Sequence, residues 1–445
     1  MTSSTRSNNP SANPLSSESQ SFDRPTVRHT FVALVLLGIL IRLLLTIFAG
    51  GQLRTPWGGG GDSPTYFLLA QNLLAGKGFA YAGMPTALRP PGYPILLAAF
   101  LKIFGAHALA AVRWLQFFEG LAVPFLCGAM ARRIWSERAG KFALVVAIFF
   151  PTLVEMNGEI LTEATATFFT ALFLYWIVCY TKRPEWLSVL GFSCAVGLGS
   201  LFRFNMAVLG FVALAVVLTQ ATDALRWRRA ALVIILPLLV ISPWLVRNLY
   251  VFHGQVLYST HSGLDALEGV LTPQGRALPG DHERLVAAVG WEPPVDVETN
   301  GATRYKLPAE PILNRQCWDA AFKLWRERNV ALIPLGLKKV ADFWLSTDQL
   351  IWTAGFPSRV RIVRGTAVVV YWVLLALAVA GWFRMKGKNS HLARIFLFYA
   401  VLVTVMHLPF VMSTRLRMPF IDVLLAVLVG IWVAAAYSQG EATGA

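Results

Sequence analysis

Three glutamates, Glu155, Glu159 and Glu163, follow one another at four-residue intervals. If this stretch is one continuous helix, the interval places all three carboxylates on one face, where their mutual repulsion requires compensating cations. Glu163 lies within an apolar run, where an acid is costly and usually functional. Glu155 and Glu159 are equally well explained as acids of an interfacial loop, and that alternative stays open.

A fourth carboxylate, Asp62, precedes an apolar stripe at helical spacing that consists of Phe67, Leu69, Ala70, Leu73 and Leu74. The stripe predicts a short amphipathic helix on the membrane surface that ends at Gly76 or Gly78. Asp is a favoured N-cap residue, and Pro64 suits the first turn of such a helix. Asp62 also has the chemistry of a general base held at a membrane–water boundary. The two roles are compatible.

Cations are available near the same end of the apolar runs, in five arginines: Arg89, Arg203, Arg247, Arg415 and Arg417. Arg89 precedes two prolines, which stiffen the backbone and hold it close to the apolar segment that follows. Snorkelling to lipid headgroups explains one or two such arginines. Five near one plane predict a site for an anionic lipid headgroup, with Arg247, Arg415 and Arg417 as the first choices.

The elements that position these residues are predicted to be membrane helices. Hydrophobic residues make up 56% of the 445 residues and charged residues only 14%, whereas soluble domains carry about 25% charged residues. Apolar runs of about 20 residues select helices over barrel strands. Ten spans are predicted, at residues 31–49, 108–130, 142–156, 160–180, 186–201, 206–218, 230–250, 366–383, 395–411 and 420–437.

Lys and Arg concentrate in alternate loops, which predicts the orientation of the chain. The positive-inside rule then places both termini in the cytoplasm and accounts for the net charge of +15 without a nucleic-acid partner. The predicted organisation is a disordered tail (1–27), a membrane module (28–250) with a long outside loop (50–107), a second outside region (251–365), C-terminal spans (366–437) and a short tail (438–445). Long loops are usually functional.

Other polar residues receive simpler interpretations. Arg42, Arg113 and Glu119 lie inside predicted spans, and an Arg42–Glu119 pair between helices would act as structural glue. The second outside region carries Trp318 and other aromatic residues that suit an amphipathic helix at the membrane interface. The four cysteines and the histidines lack metal-ligand spacing, and no phosphate-binding glycine loop is present. No metal and no cofactor are expected.

Several ordered motifs carry a resemblance. They are Gly61-Asp62 with Tyr66, Arg89-Pro90-Pro91-Gly92-Tyr93-Pro94, Arg113 with Gln116, Leu161-Thr162-Glu163, Pro243-Trp244-Arg247-Asn248 and Arg415-Leu416-Arg417-Met418-Pro419. The chain resembles the bacterial branch of the dolichyl-phosphate-mannose protein mannosyltransferase family, a GT-C group that includes aminoarabinose transferases. Two departures are Ser63, where many members have a second acid, and Leu416, where Tyr is frequent.

The resemblance implies an all-α polytopic GT-C protein of the bacterial plasma membrane. It would move a hexosyl or pentosyl unit from a polyprenyl-phosphate-linked donor to an envelope lipid, glycan or protein outside the cytoplasm, without metal. It implies catalytic roles for Asp62 and Glu163. Substrate contacts are expected from Tyr66, Arg89, Tyr93, Glu155, Glu159, Arg203, Arg247, Asn248, Arg415 and Arg417. Two alternatives remain: a transporter or flippase for a lipid-linked saccharide, and a non-catalytic assembly factor of the same fold.

Overall fold

The computed structural model describes residues 25–48, 62–81, 83–155, 160–220, 224–271, 310–327, 332–347, 359–410, 412 and 414–443. Parts of the sequence-based expectations lie outside these ranges, among them residues 1–24 of the N-terminal tail, residues 49–61 before Asp62, Glu159, and residues 272–309 and 348–358 of the second outside region. The described residues are almost entirely helical, as expected. They also include one short hairpin, in which β1 (Ala80–Tyr81) pairs antiparallel with β2 (Met84–Pro85).

The helices of the first half are α1 (Pro25–Phe48), α2 (Ser63–Leu74), α3 (Gly92–Phe104), α4 (Ala108–Ile134), α5 (Glu137–Phe149), α6 (Pro151–Glu155), α7 (Glu163–Lys182) and α8 (Trp186–Phe202). The later helices are α9 (Leu209–Gln220), α10 (Arg226–Val251), α11 (Ser262–Leu271), α12 (Glu310–Glu327), α13 (Leu332–Leu345), α14 (Arg359–Lys388), α15 (Ser390–His407) and α16 (Thr414–Thr443). Side-chain caps begin α5 and α15, where Ser136 Oγ accepts from Ala139 N and Asn389 Oδ1 accepts from Leu392 N, each at 3.3 Å.

Each of the ten predicted spans overlaps at least one helix, which confirms a helical multi-pass membrane fold. Among the described residues, seven segments are long and apolar enough to cross a bilayer: Pro25–Phe48, Gly92–Ile134, Glu163–Lys182, Arg226–Val251, Gly365–Lys388, Ser390–His407 and Thr414–Gln439. α8 and α9 are shorter, and α5 has only 13 residues because the chain breaks at Phe150 before Pro151. The number ten stays a prediction.

The last helix, α16, lies at the centre of the bundle. It packs against α4, α5, α7 and α14, and 78% of the residues in its most apolar 18-residue stretch are buried. Small residues permit this close approach, as is common between membrane helices. A Cβ added at Gly430 would lie 2.5 Å from Ala143 Cβ, and one at Gly381 would lie 2.0 Å from the carbonyl oxygen of Leu428. Substitution of either glycine would force two helices apart.

The first predicted interfacial helix is present as α2, and the chain leaves it through Gly76, which has a φ of 71°. α2 packs against α3. In the second outside region, α11 packs against α12, and Trp318 of α12 stacks on Phe322 with ring centroids 5.4 Å apart. The bond from Ser63 Oγ to the carbonyl oxygen of Ile160 places the start of α2 beside the turn that precedes α7.

Arg42 does not form the expected pair with Glu119. Its fully buried guanidinium donates instead to the carbonyl oxygens of Gly120, Ala147, Ile148 and Leu153, at 2.8–3.3 Å. Glu119 accepts a hydrogen bond from Thr165 Oγ1 at 2.8 Å. The carbonyl oxygens at the end of α5 lack hydrogen-bond partners within their own helix. The Arg42 guanidinium of α1 supplies them with donors.

Candidate active site

Asp62 occupies the N-cap position of α2, but its side chain makes no capping hydrogen bond. The carboxylate pairs with two arginines instead. Oδ1 accepts from Arg89 Nη2 at 2.5 Å, and Oδ2 accepts from Arg415 Nη1 at 2.7 Å. Two charge-assisted bonds outweigh a single bond to a backbone N–H group. The local prediction of a cap therefore gives the correct helix start and misses the partners of the carboxylate.

Glu163 begins α7 and is 4% exposed. Its Oε1 accepts from Arg203 Nη1 at 3.0 Å and from Arg415 Nε, whereas its buried Oε2 has no hydrogen-bond partner among the described residues. Arg415 thus bridges Asp62 and Glu163. We call the set Asp62, Glu163, Arg89, Arg203 and Arg415 the ion-pair cluster. It holds two carboxylates and three guanidinium groups, which leaves one positive charge in excess.

A single serine joins two of the segments that build this cluster. Ser63 Oγ donates to the carbonyl oxygen of Ile160 at 3.0 Å, and Ser63 is 4% exposed. Because Ser63 follows Asp62 and Ile160 lies three residues before Glu163, the bond brings the two carboxylates to one place. The residue that departs from the family pattern therefore has a structural function here.

The environment fixes the charge state of the groups outside the spans. Burial raises the pKa of Asp62, but the guanidinium groups of Arg89 and Arg415 lower it by more, so that it lies well below its usual range. Burial lowers the pKa of Arg89, and the nearby Asp62 carboxylate more than reverses this shift. Asp62 is consequently a carboxylate, and Arg89 a cation, at neutral pH.

Two tyrosines border the cluster on the Asp62 side. The Tyr66 ring meets the Tyr93 ring edge-on at 5.1 Å, and the Arg89 guanidinium lies 5.7 Å from the Tyr66 ring. Gln116 Nε2 donates to Tyr93 Oη at 3.3 Å and to the carbonyl oxygen of Leu161 at 2.7 Å. Gln116 belongs to a recognised motif but was not among the expected site residues. Its position inside the predicted span 108–130, where a polar side chain is costly, was the available sequence signal.

Arg247 and Asn248 lie elsewhere. Arg247 donates to the carbonyl oxygens of Phe79 and Thr86, at 2.9 and 2.8 Å. Asn248 Nδ2 donates to the carbonyl oxygen of Tyr258 at 3.1 Å. Through these bonds, α10 holds both the segment after α2 and the segment that follows α10 itself. The structure therefore places the pair in a backbone clamp, and a direct substrate contact for either residue stays a prediction.

Arg417 is fully buried, and its contacts lie outside the ion-pair cluster. Nε pairs with Asp422 Oδ1 at 3.2 Å, and Nη1 donates to the carbonyl oxygen of Ser346 at 2.9 Å. Thr152 Oγ1 donates to Asp422 Oδ2 at 2.5 Å, and the guanidinium lies 4.1 Å from the Tyr371 ring. Sequence reasoning missed Asp422, although an acid within an apolar run five residues after an arginine was a visible signal.

The three glutamates do not share one helix. α6 ends at Glu155, and residues 160–162 form a turn before α7 begins at Glu163. The condition under which they would share one face, a continuous helix from Glu155 to Glu163, is therefore not met. The turn exposes the carbonyl oxygens that accept from Ser63 and Gln116, and a continuous helix would have used them internally. Glu155 is half-buried at the end of α6, and Glu159 lies outside the described residues.

Within the described ranges, no group of three or more His, Cys, Asp or Glu side chains is arranged to hold a metal ion. The arrangement that is present can bind an anion and can accept a proton. The positive excess suits a phosphate group, and the Asp62 carboxylate, which pairs with Arg89 and Arg415, can accept a proton.

Residues 88–246 match the family model described as dolichyl-phosphate-mannose-protein mannosyltransferase. The archaeal oligosaccharyltransferase AglB from Archaeoglobus fulgidus, solved with an inhibitory peptide and a dolichol-phosphate, superimposes with a TM-score of 0.54. It covers 93% of this chain and 51% of AglB at 13% identity. This chain has the GT-C fold. A structure of the Archaeoglobus fulgidus enzyme tethered to an acceptor peptide gives a TM-score of 0.52.

Among curated proteins, the GT-C chain is similar to the lipopolysaccharide core galacturonosyltransferase RgtA of Rhizobium johnstonii. The two are 29% identical over 224 residues, which is 48% of this chain and 42% of RgtA. The chain thus spans about half the length of the relatives that it matches. The family resemblance inferred from the motifs is confirmed.

Proposed function

We propose that this GT-C protein is a membrane glycosyltransferase that moves a hexosyl or pentosyl unit from a polyprenyl-phosphate-linked donor to an envelope lipid, glycan or protein. The observation that carries the proposal is the position of Arg415, which bridges two carboxylates while the cluster keeps one positive charge in excess. A phosphodiester donor carries one negative charge, so the cluster matches it. The match to a mannosyltransferase family and the similarity to RgtA support the same reaction class.

In the proposed reaction, an acceptor hydroxyl oxygen forms a bond to the anomeric carbon of the donor. The bond from that carbon to the phosphate oxygen breaks, and the polyprenyl phosphate leaves with the electron pair. Asp62 takes the hydroxyl proton. Arg415 and Arg203 stabilise the growing charge on the phosphate, in the manner of an oxyanion site. Glu163, whose Oε2 has no hydrogen-bond partner in the part of the chain that the structure describes, orients the sugar and stabilises positive charge on its ring.

The resting ion pairs explain how Asp62 would become basic at the right moment. With two arginines bound, its low pKa makes it a weak base. A donor phosphate that competes for Arg415 removes one of these partners, and the proton affinity of Asp62 rises. Donor binding would thereby activate the base, and the empty site would hold no reactive carboxylate.

We place this protein in the bacterial plasma membrane, with the ion-pair cluster facing away from the cytoplasm and both termini in it. The charge bias of the loops supports this orientation. A transporter or flippase for the same lipid-linked saccharide would also need cations for phosphate, but it would need no proton acceptor. The role of Asp62 therefore separates the two functions.

The test uses a deletion strain complemented at matched membrane levels with wild-type protein, Asp62→Asn or the control Asp319→Asn. Asp319 is an exposed acid on α12 outside the cluster. Polyprenyl-phosphate sugars and envelope glycans are profiled by mass spectrometry. We expect the deletion to accumulate one lipid-linked sugar and to lose that sugar from one glycan, and we expect only wild type and Asp319→Asn to reverse this. Full restoration by Asp62→Asn would refute the transferase mechanism and favour transport.

A further inference from the structure

A glutamate that sequence reasoning did not single out joins three segments above the cluster. Glu310, the first residue of α12, accepts from Thr86 Oγ1 through Oε1 at 2.6 Å. Its Oε2 accepts from Ala87 N at 3.2 Å and from Thr260 Oγ1 at 2.8 Å. One carboxylate thus fastens α12 to residues 83–90, which we call the Arg89 loop, and to the segment that leads into α11.

The Arg89 loop is also held from the membrane side. Arg247 of α10 donates to the carbonyl oxygen of Thr86 at 2.8 Å. Thr260 N donates to the carbonyl oxygen of Ala87 at 3.1 Å, and Thr86 Oγ1 accepts from Leu88 N at 3.0 Å. Every one of these bonds fixes backbone within three residues of Arg89. None of them touches the ion-pair cluster itself.

The chain leaves little freedom between this anchor and the cluster. Arg89 lies two residues after Ala87 and immediately before Pro90, which restricts the backbone of Arg89 to extended conformations. The position of Ala87 therefore determines where the guanidinium of Arg89 reaches, and in the structure it reaches Asp62 Oδ1. Both oxygens of Glu310 are used in holding Ala87 and its neighbours.

We propose that Glu310 is a positioning residue for the transfer reaction, because its carboxylate fixes the Arg89 loop so that Arg89 stays paired with Asp62. This inference rests on the proposed function of Asp62. Glu310 would touch neither donor nor acceptor. Its loss would free Arg89 from a geometry in which misplacement by about 1 Å costs roughly 100-fold in rate.

The test compares Glu310→Ala with Glu310→Gln. The glutamine keeps one acceptor oxygen, and its new N–H group can donate a hydrogen bond to Thr86 Oγ1. Glu327→Ala removes an exposed carboxylate at the other end of α12 and is the matched control. Membranes carrying each variant at equal level are assayed with the lipid extract of the deletion strain as donor. We expect Glu310→Ala to lower kcat/KM roughly 10- to 100-fold, Glu310→Gln to recover most of the loss, and Glu327→Ala to equal wild type.

Two further readouts separate positioning from simple structural support. Loss of the Arg89 contact raises the pKa of Asp62, so the acidic limb of kcat/KM against pH moves to higher pH in Glu310→Ala. The effects of Glu310→Ala and Arg89→Gln are expected to be non-additive, because the first acts through the second. If Glu310→Ala does not reach the membrane, Thr86→Val, which removes one of the same bonds at nearly constant shape, must show the smaller shift of the acidic limb.

Wild-type kcat/KM in Glu310→Ala, or effects of Glu310→Ala and Arg89→Gln that multiply fully, would overturn the inference. An unshifted acidic limb in both Glu310→Ala and Thr86→Val would do the same. Because Asp62→Asn is measured in parallel, the two failures are distinct. An active Asp62→Asn protein defeats the proposed function, whereas an inactive Asp62→Asn protein beside a fully active Glu310→Ala protein defeats only the role of Glu310.

Discussion

Replacing Arg415 by Gln would remove the one side chain that both carboxylates of the cluster share. Asp62 would keep Arg89, and Glu163 would keep Arg203. The cluster would pass from one positive charge in excess to neutrality. This change tests whether Arg415 serves the phosphate or only holds two acids together, because the two roles predict different sizes of effect on stability and on rate.

The structure sets the expected magnitudes. Removing one partner of a fully buried ion pair costs about 3–5 kcal/mol. The Arg415 side chain is 32% exposed, and each acid retains a second arginine, so the free energy of unfolding should fall by only about 1–2 kcal/mol. If Arg415 stabilises the leaving phosphate as an oxyanion donor does, kcat should fall by roughly 10²–10³-fold, or about 3–4 kcal/mol. The loss in rate should therefore exceed the loss in stability.

The pH dependence has a defined sign. Arg415 helps to lower the pKa of Asp62, so its removal raises that pKa toward its ordinary value. The acidic limb of kcat/KM, which reports the free enzyme, should move to higher pH. The free energy of unfolding at neutral pH should fall as well. The depressed pKa of Asp62 contributes stability above its unfolded pKa that is lost as pH falls through the folded pKa, and Arg415→Gln reduces this contribution.

The assay is single-turnover and steady-state transfer in membranes at equal protein level, together with thermal unfolding in detergent. Arg394→Gln, which changes an exposed arginine of α15 outside the cluster, is the matched control. A kcat equal to that of wild type, with an unshifted acidic limb, would refute the reasoning. A fall in Tm in proportion to the fall in rate would show that Arg415 has only a structural role.

Three further outcomes are expected. Asp422→Asn leaves the fully buried Arg417 without its acid and should lower the free energy of unfolding by about 3–5 kcal/mol, seen as a lower Tm in detergent; adding Arg417→Met should restore part of it. Arg42→Met strips buried carbonyls of their donor at about 1–3 kcal/mol each, so its Tm should fall while any folded fraction keeps wild-type KM. Burial lowers the pKa of Lys339 to about 8, so the unfolded state binds more protons above that pH and stability should rise between about pH 8 and pH 10; a titration of Tm in which Lys339→Met shows the same rise would contradict this.

Local patterns predicted the helices of this protein well, because apolar run length and caps are local properties. The start of α2 next to Asp62 follows from such signals, whereas the predicted span 142–156 runs past the end of α5 at Phe149. The gap between the predicted spans 142–156 and 160–180 anticipates the break before Glu163, but the tertiary partners that bind the carbonyl oxygens of Ile160 and Leu161 were missed. Ser63 and Gln116 are those partners, and their distance along the chain hides them from any local pattern.

The structure brings some of the expected site residues together and separates others. Arg203 and Arg247 carry the same sequence signal, a cation at the outer end of a span, yet Arg203 binds Glu163 and Arg247 binds backbone carbonyls. The difference depends on helix packing, which spacing does not encode. Glu310 begins a polar helix among other charged residues, so nothing in its surroundings along the chain distinguishes it. Its importance follows only from the loop that lies beside it.

The central position of α16 has a consequence for biosynthesis. Ribosomes make this helix last among the described spans, yet it carries Arg415 and contacts α4, α5, α7 and α14. Until it inserts, the nascent protein holds Asp62 and Glu163 without their shared cation, and the earlier helices surround an unfilled gap. The late insertion of α16 therefore completes both the helix packing and the ion-pair cluster.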